Sequence, residues 1–324
     1  MELFSSDSFG LIYKTLIKKE ISCMLAHTHG LYAPRAIQGL IERSFFPHMK
    51  RIWERIIMVE MNLAARENLI PGDNEQDQFQ YFILHFADIK NLEAIYGKYG
   101  ALKEVWCETV TNTFQSMNLL LDRLRQDCSI ISSNFSIPKL ETSKITDFEP
   151  VGDPHKGLQQ TTRIRMARSN NDCYEFYYKP RNLKVDIGYD KFITWWNKRS
   201  VIQHKVAKVI DCGAYGWAES ISSGTCRSRE ELCRFYLRYG SIVAFSFIFA
   251  SVDFHMENVI AAREYPVLVD LETLFSCVFK GKAKHPIHYH LYKSLLLPTH
   301  CLFGAMELSP VSYTHLTLPT ICSV

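Results

Sequence analysis

Asp253-Phe254-His255-Met256-Glu257-Asn258 and, twelve residues beyond it, Asp270-Leu271-Glu272 decide how this chain is read. The first stretch packs Asp, His and Asn into six residues at the end of an apolar segment. The second closes the apolar run Pro266 to Val269, which reads as a strand. Taken singly, Asp253 and Asn258 suit helix ends and Asp270 suits a strand end. Taken together with the flanking helix and strand, they suit phosphoryl transfer. A carboxylate near an acceptor hydroxyl can take or orient its proton, while an amide oxygen and a second carboxylate can hold Mg²⁺ against phosphates.

Upstream of this pair the pattern changes character. Residues 1 to about 135 read as helices. Apolar residues recur at helical spacing over Ile52 to Leu63 and, more clearly, over Leu102 to Leu124; Pro71-Gly72-Asp73-Asn74 marks a loop between helices. After Asn134, Thr161 to Ala167 alternates as a strand, residues 168–172 form a turn, and Tyr174 to Lys179 returns, making a β-hairpin. Asp190 to Lys198 suggests a helix whose Trp195 and Trp196 serve packing. Lys205 to Ile210 reads as a short strand, and Gly213 to Trp217 as a turn into more strand. Ser228 with Glu231 forms a capping box for a helix to about Ala250, and the apolar run Ser241 to Val252 reads as buried. At twelve residues it is short of the roughly 20 that span a membrane.

Lys179 ends the hairpin, where a cation can neutralise phosphate oxygens. As a hydrated charge near the surface it is expected to contribute little to stability. Gly152-Asp153-Pro154-His155-Lys156-Gly157 precedes the hairpin as a loop that can cover phosphates, and it brings two proton-transfer groups, Asp153 and His155. Three histidines, His285, His288 and His290, fall within six residues, but no cysteine stands at zinc-ligand spacing from them.

Composition bounds the rest. Of 324 residues, 47% are apolar and 22% charged, which is enough core for one large or two ordinary domains and leaves no sign of general disorder. A formal charge of +3 makes no electrostatic case for nucleic acid. The ten cysteines are irregularly spaced without a C-x-x-C pair, and no secretory signal is visible, which suits free thiols and a cytoplasmic location.

The order D-x-H-x-x-N followed by an acidic strand end resembles lipid kinases and their relatives rather than the H-R-D order of protein kinases. More closely, the chain resembles the dehydratase domain of class II lanthipeptide synthetases, the LanM type. The likeness is carried by Asp153-Pro154-His155, Tyr178-Lys179-Pro180-Arg181, Tyr215-Gly216-Trp217, Asp253 to Ala261, Pro266 to Phe275 and Leu295-Leu296-Leu297-Pro298, and covers roughly Tyr96 to Gly304. It implies an α+β fold with a lipid-kinase-like two-lobed core and a helical N-terminal region. A small sheet-rich lobe is expected over about 150 to 225. It also implies a bacterial, cytoplasmic enzyme that uses ATP and Mg²⁺ to phosphorylate Ser and Thr of a ribosomal precursor peptide, leader plus Ser/Thr-rich core. The phosphate is then eliminated to give dehydroalanine or dehydrobutyrine. By this resemblance Lys179 contacts ATP phosphates, Asp253 and His255 serve phosphoryl transfer, Asn258 and Asp270 bind Mg²⁺, and Asp153 and His155 serve elimination.

The expected organisation is a helical N-terminal region over 1–135, a truncated kinase-like dehydratase core over 136–310, and a non-native tail over 311–324. Val311-Ser312-Tyr313-Thr314-His315-Leu316 resembles a translated transposase-end adapter. The family's further elimination residues, an Arg and a Thr, have no matching stretch before that tail. Its zinc-binding cyclase domain is also unmatched, so zinc is expected only there. Two alternatives stay open: a kinase of this fold that stops at phosphorylation, and a catalytically dead fragment that only binds nucleotide or peptide.

Overall fold

The computed structural model describes residues 3–167, 173–254, 258–275 and 294–296. The expected turn at 168–172, His255, the three histidines at 285–290, Leu297-Pro298 and the 311–324 tail lie outside the described residues. The fold is α+β, and the chain divides into two compact units, Met1–Pro180 and Arg181–Val324.

The first unit opens with helices α1 (Gly10–Leu16), α2 (Lys18–Thr28), α3 (Pro34–Met49), α4 (Arg55–Arg66), α5 (Glu75–Phe86), α6 (Ile89–Lys98) and α7 (Leu102–Asn134). Pro34 starts α3 where its missing N–H costs nothing. Pro47 removes a hydrogen bond inside α3, and a wide π turn at Lys50–Glu54 follows before α4 resumes. Asn74, in the expected loop, caps α5 by accepting from the Asp77 N–H. The apolar stripe of α7 buries Trp106, Val110, Phe114, Met117, Leu121 and Leu124. Trp106 meets Trp53 edge-on at 5.8 Å, and Phe114 meets Phe45 at 4.8 Å.

Strands β1 (Ile145–Val151), β2 (Thr161–Ala167) and β3 (Cys173–Lys179) pair antiparallel in that order, so the expected hairpin is present as β2–β3. Thr162, Ile164 and Met166 turn inward from β2. Arg163 and Arg165 point the other way into a charged ladder. Arg165 bridges Asp147 (2.9 Å), Glu149 (3.2 Å) and Glu175 (2.8 Å), and Arg163 pairs with Glu149. Strand β1 was not foreseen. Its Phe148 is fully buried against Tyr32, and its carbonyl accepts from Arg43 of α3.

The second unit holds α8 (Lys184–Asn197), β4 (Val209–Asp211), β5 (Gly216–Glu219), α9 (Arg229–Ile248), β6 (Val259–Ala262) and β7 (Tyr265–Leu268). Helix α8 begins six residues before the expected Asp190. The strand expected at Lys205 to Ile210 is displaced to β4. Gly216 allows a close approach: a Cβ there would lie 2.4 Å from the Ile210 carbonyl oxygen and 2.5 Å from the Leu183 side chain. Ser228 caps α9 by accepting from the Glu231 N–H, while Glu231 reaches back to the Arg227 N–H. The run from Ser241 is not wholly buried. Ile242, Phe245 and Ser246 face the core, Phe247 and Ile248 are exposed, and the helix stops at Ile248. Trp196 packs on Phe245 as expected of a core residue, but Trp195 is exposed, stacked on Phe192 and covered by Arg199. Tyr189, Ile193, Ile242, Phe245, Phe254, Leu268 and Leu271 form the core of this unit.

Among the described residues no helix is long and apolar enough to cross a membrane. Cys23, Cys107, Cys128 and Cys233 are free thiols.

His204 is buried beside α9, with its ring Nε2 2.9 Å from the Ser241 hydroxyl. Burial first, and then the charge of Arg238, lower its pKa from 6.5 to about 4. His48, buried in the first unit, is lowered for the same first reason. Between these values the unfolded chain binds more protons than the folded one, so stability falls as pH drops from about 6.5 toward 4. His204→Gln should flatten that part of the acid profile in pH-dependent urea unfolding. An unchanged slope would mean His204 takes up its proton without unfolding. In the first unit, Phe148→Ala should cost about 3–5 kcal/mol of unfolding free energy in the same measurement, and a loss under about 1 kcal/mol would show that β1 does not anchor the sheet.

Candidate functional site

Helix α9 ends in a Schellman turn. The Ala250 N–H donates to the Phe247 carbonyl at 3.2 Å and the Ser251 N–H to the Ser246 carbonyl at 2.8 Å, with Ala250 left-handed at φ 53°. The chain that leaves this turn is stitched to the segment after β7. The Ser251 hydroxyl donates to the Leu274 carbonyl (2.7 Å), the Val252 N–H to the Thr273 carbonyl (3.2 Å), and the Thr273 hydroxyl back to the Val252 carbonyl (2.6 Å). Phe254 anchors the loop in the core, 1% exposed, and its N–H donates to the Ser294 carbonyl at 2.7 Å.

Asp253 stands between these anchors, exposed and left-handed at φ 62°. A non-glycine residue there is held by its surroundings rather than by its own preference. The Asn258 side-chain N–H donates to the Asp253 backbone carbonyl at 2.9 Å. The Asn258 backbone carbonyl accepts from the Val269 N–H at 3.1 Å, next to Asp270. The structure thus brings Asp253, Asn258 and Asp270 to one span of interlocked backbone in the second unit.

Arg181 joins them. Its side chain is 16% exposed and donates to Asp186 at 2.8 Å and to Asp270 at 3.0 Å, with Glu272 at 3.8 Å. Burial opposes its charge, but Asp186 and Asp270 outweigh that and raise its pKa above the ordinary arginine value. In the sequence Arg181 stands within Lys179-Pro180-Arg181, and no local pattern gives it a task. A pattern along the chain could not supply one, because Asp186 and Asp270 lie five and eighty-nine residues away.

Among the described residues no three His, Cys, Asp or Glu side chains group as a metal site. Asn258 and Asp270 offer an amide oxygen and a carboxylate. That is a hard-oxygen set suited to Mg²⁺, which keeps waters and phosphate oxygens as its other ligands.

In the first unit, Lys179 ends β3 at 7% exposure, so it is buried rather than the hydrated surface cation expected. Its neighbour Tyr178 is buried and hydrogen-bonded by Arg123 of α7. The 152–160 loop closes on itself. The His155 N–H donates to the Gln159 carbonyl (2.7 Å) and the Leu158 N–H to the His155 carbonyl (3.0 Å), with Gly152 and Gly157 at φ 72° and 70°. Asp153 and His155 are exposed on it. Leu158 and Gln160 line a cavity of about 20 Å³ against Ser44, Thr113 and Thr162, room for about one water.

The left-handed backbone at Asp253 separates a structural role from a chemical one. Asp253→Gly should fold with stability unchanged or raised by up to about 1 kcal/mol, because glycine meets no penalty at this φ. A drop in melting temperature would instead make the Asp253 side chain part of the fold.

Two comparisons bear on the chain. The family described as "Domain of unknown function (DUF4135)" matches residues 99–316. The lacticin 481/lactococcin biosynthesis protein LcnDR2 of Lactococcus lactis subsp. lactis is 22% identical over 262 residues, a match that covers 78% of this chain. The match spans 28% of that relative's length. The matched span runs with the stretch from Tyr96 to Gly304 singled out by its motifs, and the chain belongs to the DUF4135 family as a class II lanthipeptide synthetase-like protein.

Proposed function

We propose that this chain serves lanthipeptide (lantibiotic) biosynthesis as the ATP-using part of a peptide dehydratase. In this reading Ser and Thr hydroxyls of a precursor peptide are phosphorylated, and the phosphate is then eliminated. The observation that carries the reading is the gathering of Asp253, Asn258 and Asp270 on one interlocked span. The relative's part in lacticin 481/lactococcin biosynthesis supports the choice of a peptide as substrate.

In phosphoryl transfer the hydroxyl oxygen bonds to the terminal phosphorus of ATP, the bond to the ADP oxygen breaks, and the hydroxyl proton leaves. Asp253 is assigned that proton, since its carboxylate is exposed on a loop fixed at both ends. Asn258 and Asp270 are assigned to hold Mg²⁺, which when bound offsets the charge of the phosphates. His255 is assigned to the same step on the resemblance, and so is Lys179 to ATP phosphates. In elimination a base removes the α-proton, the Cβ–O bond breaks and phosphate leaves with its electron pair. Asp153 and His155 are assigned there on the resemblance, and their exposure leaves them accessible to a peptide.

The test is incubation of the chain with ATP, Mg²⁺ and a leader-bearing Ser/Thr-rich precursor, read by mass spectrometry. Asp253→Ala and Asp270→Ala should each lower phosphopeptide formation about 100-fold or more. Near-normal yield from either would sink the kinase assignment. In a full-length synthetase that carries this sequence as its dehydratase region, Asp153→Ala and His155→Ala should accumulate phosphopeptide at the expense of dehydrated product. Normal dehydration by the Asp153 variant would make its loop a mere turn.

A further inference from the structure

Arg181 is a half-buried cation with carboxylates at both ends. Asp186, 6% exposed, sits in the first turn of α8 and accepts from one terminal nitrogen of the guanidinium at 2.8 Å. Asp270 accepts from the other terminal nitrogen at 3.0 Å, and Glu272 stands 3.8 Å from Nε. A guanidinium is a rigid planar fork whose terminal nitrogens point in fixed directions. Anchoring one of them on a buried carboxylate therefore fixes where the other can hold Asp270. A lysine in its place carries the same charge on one rotatable ammonium and cannot reproduce both directions.

We infer that Arg181, anchored by Asp186, is a positioning residue that sets the orientation of the Asp270 carboxylate for a divalent cation. The inference rests on the reading of Asp270 as a metal ligand. It assigns Arg181 no contact with substrate. Two effects of the guanidinium on a nearby cation oppose each other: its charge repels the ion, and its rigidity holds the ligand ready. Arg181→Lys keeps the charge and removes the rigidity, so it isolates the second effect. Asp186→Asn leaves Arg181 and Asp270 in place and loosens the anchor.

The measurement is titration of the full chain with Mn²⁺ alone, followed by loss of the free-ion electron paramagnetic resonance signal, with circular dichroism to establish that each variant is folded. Arg181→Lys should weaken Mn²⁺ binding about tenfold, the effect expected of a residue that orients a metal ligand, and Asp186→Asn should weaken it in the same direction. Asp270→Asn serves as the reference that removes the ligand's charge. Wild-type affinity in a folded Arg181→Lys variant, with binding lost in Asp270→Asn, overturns the positioning role and leaves the metal reading standing. Wild-type affinity in both overturns the metal reading itself, and this inference with it. If Arg181→Lys does not fold, Asp186→Asn decides between the same outcomes.

Discussion

The guanidinium of Arg181, held between Asp186 and Asp270, is the constraint on which the candidate site in the second unit depends. A charge at 16% exposure is costly unless partners compensate it, and here two carboxylates from distant parts of the sequence do so. The pairing ties the start of α8 to the end of the β7 segment. It places a fixed cation beside a carboxylate that also carries the chemistry proposed for this chain. The arrangement combines cost and use in the way buried ion networks at functional sites do.

Around that pair, backbone hydrogen bonds supply the rigidity that a reactive loop lacks by itself. The Schellman turn at Ala250 redirects the chain, Ser251 and Thr273 lock it to the segment after β7, and Phe254 fills the core beneath it. Asp253 is left exposed in a left-handed conformation between two fixed points. A loop held in this way keeps its side chain in place at the expense of local strain, which its anchors offset.

Much of this was legible in the sequence, and the exceptions have physical reasons. The long stripe of α7, the β2–β3 hairpin and the Ser228 cap each have a local pattern, and each is present. Strand β1 escaped because Asp147, Glu149 and Pro150 obscure its alternation; the acids are matched by Arg165 and Arg163 on the next strand and by Arg43 of α3. The start of α8 was hidden by Gly188 and by Asp186, whose burial makes sense only once Arg181 is beside it. The burial of Lys179 and the exposure of Trp195 reverse the usual habits of those residue types, and no periodicity encodes either. The residues of the candidate site could be picked out because Asp253 and Asn258 are neighbours in sequence. Arg181 could not be given a role, because its partners are brought to it by the fold.

The central claim is that the span joining Asp253, Asn258 and Asp270 is where a divalent cation and the phosphates of ATP are held. The most direct measurement is an anomalous-difference map from crystals of the chain grown with Mn²⁺ and a non-hydrolysable ATP analogue. The account predicts a manganese peak bonded to the Asp270 carboxylate and the Asn258 amide oxygen, with phosphate oxygens on its other faces. A nucleotide bound with its metal elsewhere, and Asp270 still engaged by Arg181 without a metal, would contradict it.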